Sequence, residues 1–331
     1  MKRTFIGALT ALALASGPSL AEYPEKDING IIQWGAGGSM DLVSRAVTPH
    51  AEEILGASVI MQNMTGGVGV IGMKYVLAQP ADGYTLLMGA ENPQLYKVMG
   101  LAQQDYADFE PIILLARGVP VIVVRPDAPF NTFTEMVDYI KANPDTVKFG
   151  STGPGGLPSV VTAMLTSEVE LPVTVVPYDG DGPALTALQS GAIDVMPAVL
   201  GAAIENVKAG RMKVITVVDE TAHPLLPDVK PITEEFPGFE KYLPWGPFFG
   251  IYAKKGTPPE ALDKLRAAYA EGAKAEQYVK LLDERGFVPL NLQGDEARAY
   301  LDDWQQVTSW LAFEGGLAKN SPEEFGIARP E

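Results

Sequence analysis

The segment Ile31-Ile32-Gln33-Trp34-Gly35-Ala36-Gly37-Gly38-Ser39-Met40-Asp41 runs an apolar, strand-like stretch straight into a glycine-rich turn that opens a helical pattern. A chain that changes from strand to helix so abruptly needs residues free of Cβ constraints, and the turn then presents bare backbone N–H groups. At a helix start those amides and the helix dipole together favour an anion such as a carboxylate or a phosphate. The same device recurs at Lys148-Phe149-Gly150-Ser151-Thr152-Gly153-Pro154-Gly155-Gly156-Leu157. Two such loops facing one another would clamp a small acid. The candidate ligand contacts are therefore Trp34, Ala36, Gly37, Gly38, Ser39, Met40 and Asp41 in the first loop, and Gly150, Ser151, Thr152, Gly153, Gly155 and Gly156 in the second.

Strand-like runs fall at 28–34, 58–62, 85–89, 112–116, 121–125, 148–150, 173–177, 195–198, 213–218 and 248–253. Helical patterns lie between and after them, at 41–55, 71–79, 132–142, 159–169, 182–191, 202–209, 259–275 and 276–285. Strands separated by helices predict parallel βαβ units and the α/β class. In open sheets of that class ligands sit beyond the strand carboxyl ends. Two further pairs of candidates follow: Glu91 and Asn92 after the run at 85–89, and Tyr178 and Asp179 after the run at 173–177. Tyr178 and Asp179 could equally close a β-turn with Gly180. Asp41, at a helix start, could serve as an N-terminal cap instead of a ligand contact.

Lys2 and Arg3 precede an uncharged apolar run over residues 4–14, and Ser19-Leu20-Ala21 supplies small residues at cleavage-site spacing. Residues 1–21 read as a secretory signal peptide, so the mature protein is expected to be exported and soluble. Removing the leader lowers the basic count from 25 to 23 against 41 acidic residues, moving the formal charge from −16 to −18. Nucleic acid and anionic lipid, which both demand basic patches, are excluded as partners. An acidic ligand is compatible with this charge when local amide dipoles hold it. There is no cysteine, hence no disulfide or thiol chemistry. The chain is expected to be a monomer.

Gly67-Val68-Gly69-Val70-Ile71-Gly72 is a literal G-x-G-x-x-G after a strand-like run, with Glu91 near the distance of a ribose-binding acid. Alone the motif is weak, and an exported protein rarely meets a dinucleotide; a tight strand-to-helix turn accounts for the same glycines. The only histidines are His50 and His223, and neither stands near a serine in a strand-turn-helix elbow. No catalytic triad, metal site or cofactor is called for, and a binding protein is expected rather than an enzyme.

The 310 or so residues after the leader suffice for two domains, since single cores stop growing at roughly 250–300. The apolar stretches 121–126 and 245–253, rimmed by Pro and Gly, are the expected crossings between two lobes. The first lobe would comprise 22–124 with 247–331, and the inserted second lobe 125–246, leaving a ligand cleft between them.

A series of segments carries a family resemblance. They are Tyr23-Pro24, Gly37-Gly38-Ser39-Met40-Asp41 with Arg45, Asn63 through Gly69-Val70-Ile71-Gly72, and Asp82-Gly83-Tyr84-Thr85-Leu86-Leu87. Gly150-Ser151-Thr152-Gly153, Pro177-Tyr178-Asp179-Gly180, Leu226-Pro227-Asp228-Val229 and Gly256-Thr257-Pro258 follow in order. With these the chain resembles the substrate-binding proteins of tripartite tricarboxylate transporters, the TctC or Bug family of extracytoplasmic solute receptors. The resemblance implies a two-lobed, Venus-flytrap-like periplasmic fold. It also implies that main-chain amides of the loops 35–41 and 150–156, with ordered water, hold an organic carboxylate for delivery to large and small membrane subunits. A sensor adaptor for a membrane histidine kinase would use the same site. The sequence departs from the family pattern in Gln33-Trp34 for the usual Pro-Phe, in Gly155-Gly156 for Gly-Ser, and in lacking a His shortly after.

Overall fold

A computed structural model describes residues 23–330, so the expected signal peptide lies outside the described residues. In chain order the strands are β1 (Ile28–Ile32), β2 (Val59–Asn63), β3 (Thr85–Ala90), β4 (Phe109–Arg117), β5 (Pro120–Val124), β6 (Lys148–Ser151), β7 (Thr174–Pro177), β8 (Val195–Val199), β9 (Lys213–Val217), β10 (Phe248–Lys254) and β11 (Val288–Leu292). The helices are α1 (Ser39–Leu55), α2 (Val70–Ala78), α3 (Tyr96–Met99), α4 (Phe133–Ala142), α5 (Leu157–Glu168), α6 (Asp181–Gln189), α7 (Leu200–Lys208), α8 (Ile232–Glu235), α9 (Pro259–Gly272), α10 (Glu276–Arg285) and α11 (Gly294–Glu314).

These elements build two sheets, β11-β4-β10-β3-β1-β2 and β7-β6-β8-β5-β9, each with its own helices: a two-lobed α/β fold. At the centre of the first, β1 pairs in parallel with β2 and β3, placing Ile31 opposite both Gln62 and Leu87. Inner strands such as β3, β4, β10, β5 and β8 are buried on both faces, as sheets sandwiched by helices require. Helix α1 lays Val43, Val47, Ala51 and Leu55 against the core at i, i+4, i+8 and i+12, each large side chain contributing about 1.5–3 kcal/mol by burial. It stops at Gly56, whose φ of +69° lets its N–H return to the Glu52 carbonyl.

Both sheets are mixed, not parallel throughout. Strand β10 runs antiparallel to β3 and β4, and β5 antiparallel to β8 and β9, because β10 and β5 each enter a sheet from the other lobe and not through a helical crossover. The first crossing also differs from its expected position. β4 belongs to the first sheet and β5 to the second, so the chain passes between lobes at Gly118-Val119, and Pro120–Val124 joins the second lobe. The second crossing precedes β10, near Gly246-Pro247, and the two are bonded together, Gly118 N–H donating to the Pro247 carbonyl at 2.8 Å. Helix α11 pins this junction. Trp304 donates its indole N–H to the Gly246 carbonyl, and Trp245 donates to Thr308 Oγ. Trp245 is accordingly core, at 3% exposure.

Candidate functional site

Across the cleft the first glycine-rich turn meets the segment that opens α6, while the second meets Val68, Leu95 and Met99 of the first lobe. The Gly35 N–H donates to the Asp179 carbonyl at 3.0 Å, and the Ser39 hydroxyl to Asp181 Oδ2 at 3.1 Å. Glycine is required where the backbones meet: a Cβ on Gly182, in the first turn of α6, would collide with the Ala36 carbonyl. On the far side a Cβ on Gly153 would come within 2.8 Å of Val68 Cγ2. The G-x-G-x-x-G segment is thus a cleft-rim turn, with Gly69 at φ +87° immediately before α2.

Between the lobes lies a cavity of 40 Å³, partly open to solvent. On the scale of roughly 10–15 Å³ per water this holds about three waters, the size of a small ligand's polar end. The first lobe lines it with Trp34, Gly38, Ser39, Met40, Ala90 and Glu91, and with Phe249 of β10. The second lobe contributes Thr152, Leu157, Gly180, Asp181 and Val199, while Pro247 closes the hinge side. Six expected residues therefore line the cavity: Trp34, Gly38, Ser39, Met40, Glu91 and Thr152.

The other expected contacts stand behind this lining or beside it. Asp41 turns back into its own loop, accepting from the Gly37 amide at 3.0 Å, from Asn63 Nδ2 and from Arg45 Nε. Burial works to raise its carboxyl, but these three donors outweigh it and hold the group below the ordinary value. Asp41 is the loop's internal cap. Ala36 and Gly37 are exposed at the rim, and Asp179 offers its backbone to Gly35 while its side chain faces solvent. The Tyr178 N–H closes onto the Ser151 carbonyl, and the Ser151 hydroxyl accepts from the Gly153 amide. Gly150 sits in β6 against Ile193 and Met196, and Gly156 precedes α5, its N–H committed to the Gly153 carbonyl. Asn92 donates Nδ2 to the Gly155 carbonyl, tying the lobes.

The two helix starts are not equivalent. Gly38, ahead of α1, has no side-chain cap, which leaves first-turn amides at Ser39 and Met40 beside the cavity. At α5 the Leu157 amide lies near enough to the Glu91 carboxyl of the opposite lobe to favour its ionised form, and Pro158 has no N–H to offer. Glu91 is 4% exposed. Burial, reinforced by the charge of Asp181 and opposed by its own backbone amide, that of Leu157 and Asn92, lifts its carboxyl to about 8. Asp181, half-buried at the cleft edge, is raised by burial to about 6 against the Ser39 hydroxyl and the Val199 amide. Neither histidine reaches the cavity. The His223 ring packs beside Gly286 and accepts from the Leu225 amide, and burial lowers its affinity for a proton. Among the described residues no group of three or more His, Cys, Asp or Glu could hold a metal ion.

Lobes that close on a small cavity at a helix start define a solute-binding receptor of the periplasmic-binding-protein class. Residues 43–311 match the family described as the tripartite tricarboxylate transporter family receptor, TctC, and the chain belongs to that family, one of receptors rather than enzymes. It is 29% identical over 291 residues to a protein from the tcbD-tcbE intergenic region of Pseudomonas sp. strain P51, covering 86% of this chain and 85% of that one. It is 26% identical over 314 residues to BugT of Bordetella pertussis, covering 92% and 94%. Among solved structures, the periplasmic binding protein BugD superposes with a TM-score of 0.84 at 26% identity, over 89% of this chain and 99% of that one. MatC of Rhodopseudomonas palustris, with bound malate, gives 0.78 at 25%, over 86% and 100%.

Sequence reasoning missed Ala90, Leu157, Gly180, Asp181, Val199, Pro247 and Phe249 as cavity residues. Asp181 alone carried a signal, an acid in the first turn of a helix just past the expected Tyr178-Asp179 loop.

Proposed function

We propose that this protein captures a small organic acid in the periplasm and presents it, enclosed between its lobes, to the large and small membrane subunits of a tripartite tricarboxylate-type transporter. The observation that carries the reading is the uncapped start of α1, whose first-turn residues Ser39 and Met40 border the cavity between the lobes. Amides fixed at a helix start and shielded from water hold an anion without help from net charge, which suits a chain with a formal charge of −16. Family membership and the malate held by MatC support the ligand class. Among the described residues no helix is long and apolar enough to cross a membrane, in keeping with delivery to separate membrane subunits.

A thermal-shift screen of mono-, di- and tricarboxylates against their uncharged amides tests the reading. Carboxylate ligands raise Tm with concentration, following RT ln(1 + [L]/Kd), and the amides do not. A screen in which no carboxylate moves the midpoint overturns it.

A further inference from the structure

The pole of the second lobe, away from the cleft, carries a cavity of its own. It measures 150 Å³ and lies among Arg125, Pro129, Phe130, Tyr139, Val147 and Asp194. Strand β5 pairs Val124 with Val195, the first residue of β8, whereas Val199 at the other end of β8 lines the cavity between the lobes. Four residues of strand, about 13 Å, separate the two places. A cavity of about 150 Å³ with apolar walls takes up one benzene ring. The walls here suit a ring: Phe130 is 2% exposed, and the Tyr139 ring of α4 stands 5.6 Å from it at 55°, forming an aromatic corner.

Arg125 supplies the polar end. Its guanidinium lies over the bare Cα of Gly191, where a Cβ would come within 2.6 Å of Nη1. Its Nε is buried and has no hydrogen-bond partner. Two acids flank it loosely, Asp127 Oδ1 at 3.4 Å from Nε without hydrogen-bond alignment and Asp194 Oδ1 at 3.9 Å from Nη2. Leaving a buried, charged donor unbonded is costly, and a carboxylate matches the guanidinium fork with two parallel bonds. Neither flanking acid bars the way. Asp194 spends Oδ2 on the Lys148 amide, and the Asp127 side chain, 75% exposed, turns readily to water. Lys213 stands on the same rim, its Nζ donating to the Ala128 carbonyl at 3.0 Å and to Asn131 Oδ1 at 2.8 Å. Arg125 and Lys213 cancel Asp127 and Asp194, so one added negative charge meets no net repulsion. A second added charge would go unanswered.

We propose that this cavity is a second ligand site, built wholly in the second lobe, for a small aromatic monocarboxylate. The ring sits in the corner of Phe130 and Tyr139, and the carboxylate rests on the Arg125 fork. Binding there needs no contact from the first lobe, so the site works whether the lobes are open or shut.

Isothermal titration of the purified chain with benzoate, its neutral amide benzamide and the dianion isophthalate tests this. Benzoate binds about tenfold tighter than either, the scale of one charge-assisted pair. Arg125→Gln removes the fork and Tyr139→Ala removes one wall; each weakens benzoate by about tenfold, while Gly182→Ala, at the contact between the lobes, leaves it unchanged. Circular dichroism checks the fold of each variant. Tyr139, 37% exposed, carries the test where Arg125→Gln does not fold. Benzoate affinity that falls in Gly182→Ala but holds in the folded variants at Arg125 and Tyr139 puts the acid between the lobes and overturns the proposal. Absence of any heat with the wild type at millimolar benzoate overturns it as well, and leaves the receptor reading untouched.

Discussion

Ser39, the first residue of α1, donates its hydroxyl to Asp181, the first residue of α6, at 3.1 Å, so two helix starts from opposite lobes are joined side chain to side chain. Beside this bond the Gly35 amide meets the Asp179 carbonyl. The closed cleft is thus held by a few polar contacts at its mouth, and its behaviour under mutation and pH follows from them.

Glu91 makes ligand-free stability depend on pH in a direction opposite to that of a paired surface acid. Folded, its carboxyl keeps a proton to about 8, against an ordinary value of 4.5. Between those values the folded state binds more protons, so stability falls as pH rises, by on the order of 4 kcal/mol at most over the window. Melting curves from pH 5 to 8 should slope downward for the wild type and flatten for Glu91→Gln. An equal slope in both would show that Glu91 is not the group responsible.

Asp41 has the opposite sign. Its carboxyl is held below the ordinary value, so its contribution is present at neutral pH and disappears as pH falls through its folded value. Asp41→Asn should cost about 1–2 kcal/mol at pH 7 by urea unfolding, shrinking in acid. Ligand affinity should stay within the same order of magnitude, because Asp41 is not among the cavity-lining residues. A complete loss of binding with stability unchanged would make it a ligand contact.

Glycines at the rim separate strain from obstruction. Gly37 has φ +76° but open space where a Cβ would go, so Gly37→Ala should cost about 1–2 kcal/mol of stability and leave closure intact. Gly182→Ala drives a Cβ into the Ala36 carbonyl and should hold the lobes apart, weakening binding at least tenfold, about 1.4 kcal/mol, while the lobes stay folded. Equal affinity in both variants would show that the two backbones need not meet.

Closure itself is accessible to small-angle scattering. A ligand touching both lobes has higher affinity for the closed state and shifts the population towards it. Saturating ligand should reduce the radius of gyration of the wild type and not of Gly182→Ala. An unchanged wild-type radius would mean that the cleft is already shut when empty.

How much could be read from sequence depended on whether the signal was local. The turn at 35–41 announces itself through its own glycines, and most strands and helices through their periodicity. Helix α11 went unread although its buried residues at 297, 301, 304, 308 and 312 follow helical spacing. Strand β11 is a half-exposed edge of five residues containing Pro289, which masks the usual alternation. Reading the glycine loops as ligand cradles overlooked that a chain can satisfy its own amides. Asp41 answers Gly37, and the Asp179 carbonyl answers Gly35 across 143 intervening residues. Pairings of that kind arise only once the lobes are assembled.

The two crossings of the chain lie edge to edge, Gly118 bonded to Pro247 and no room for a side chain at Gly246 beside the Gly118 carbonyl. Ribbons fastened in this way bend together far more readily than they slide past each other. The axle for any rotation of the lobes is therefore set by this one seam, with Trp304 of α11 bolted to it from the first lobe's side. A few degrees of turn there become ångströms at the distant rim. A residue far from any ligand, by stiffening that seam, would set how quickly the mouth opens without altering what it holds.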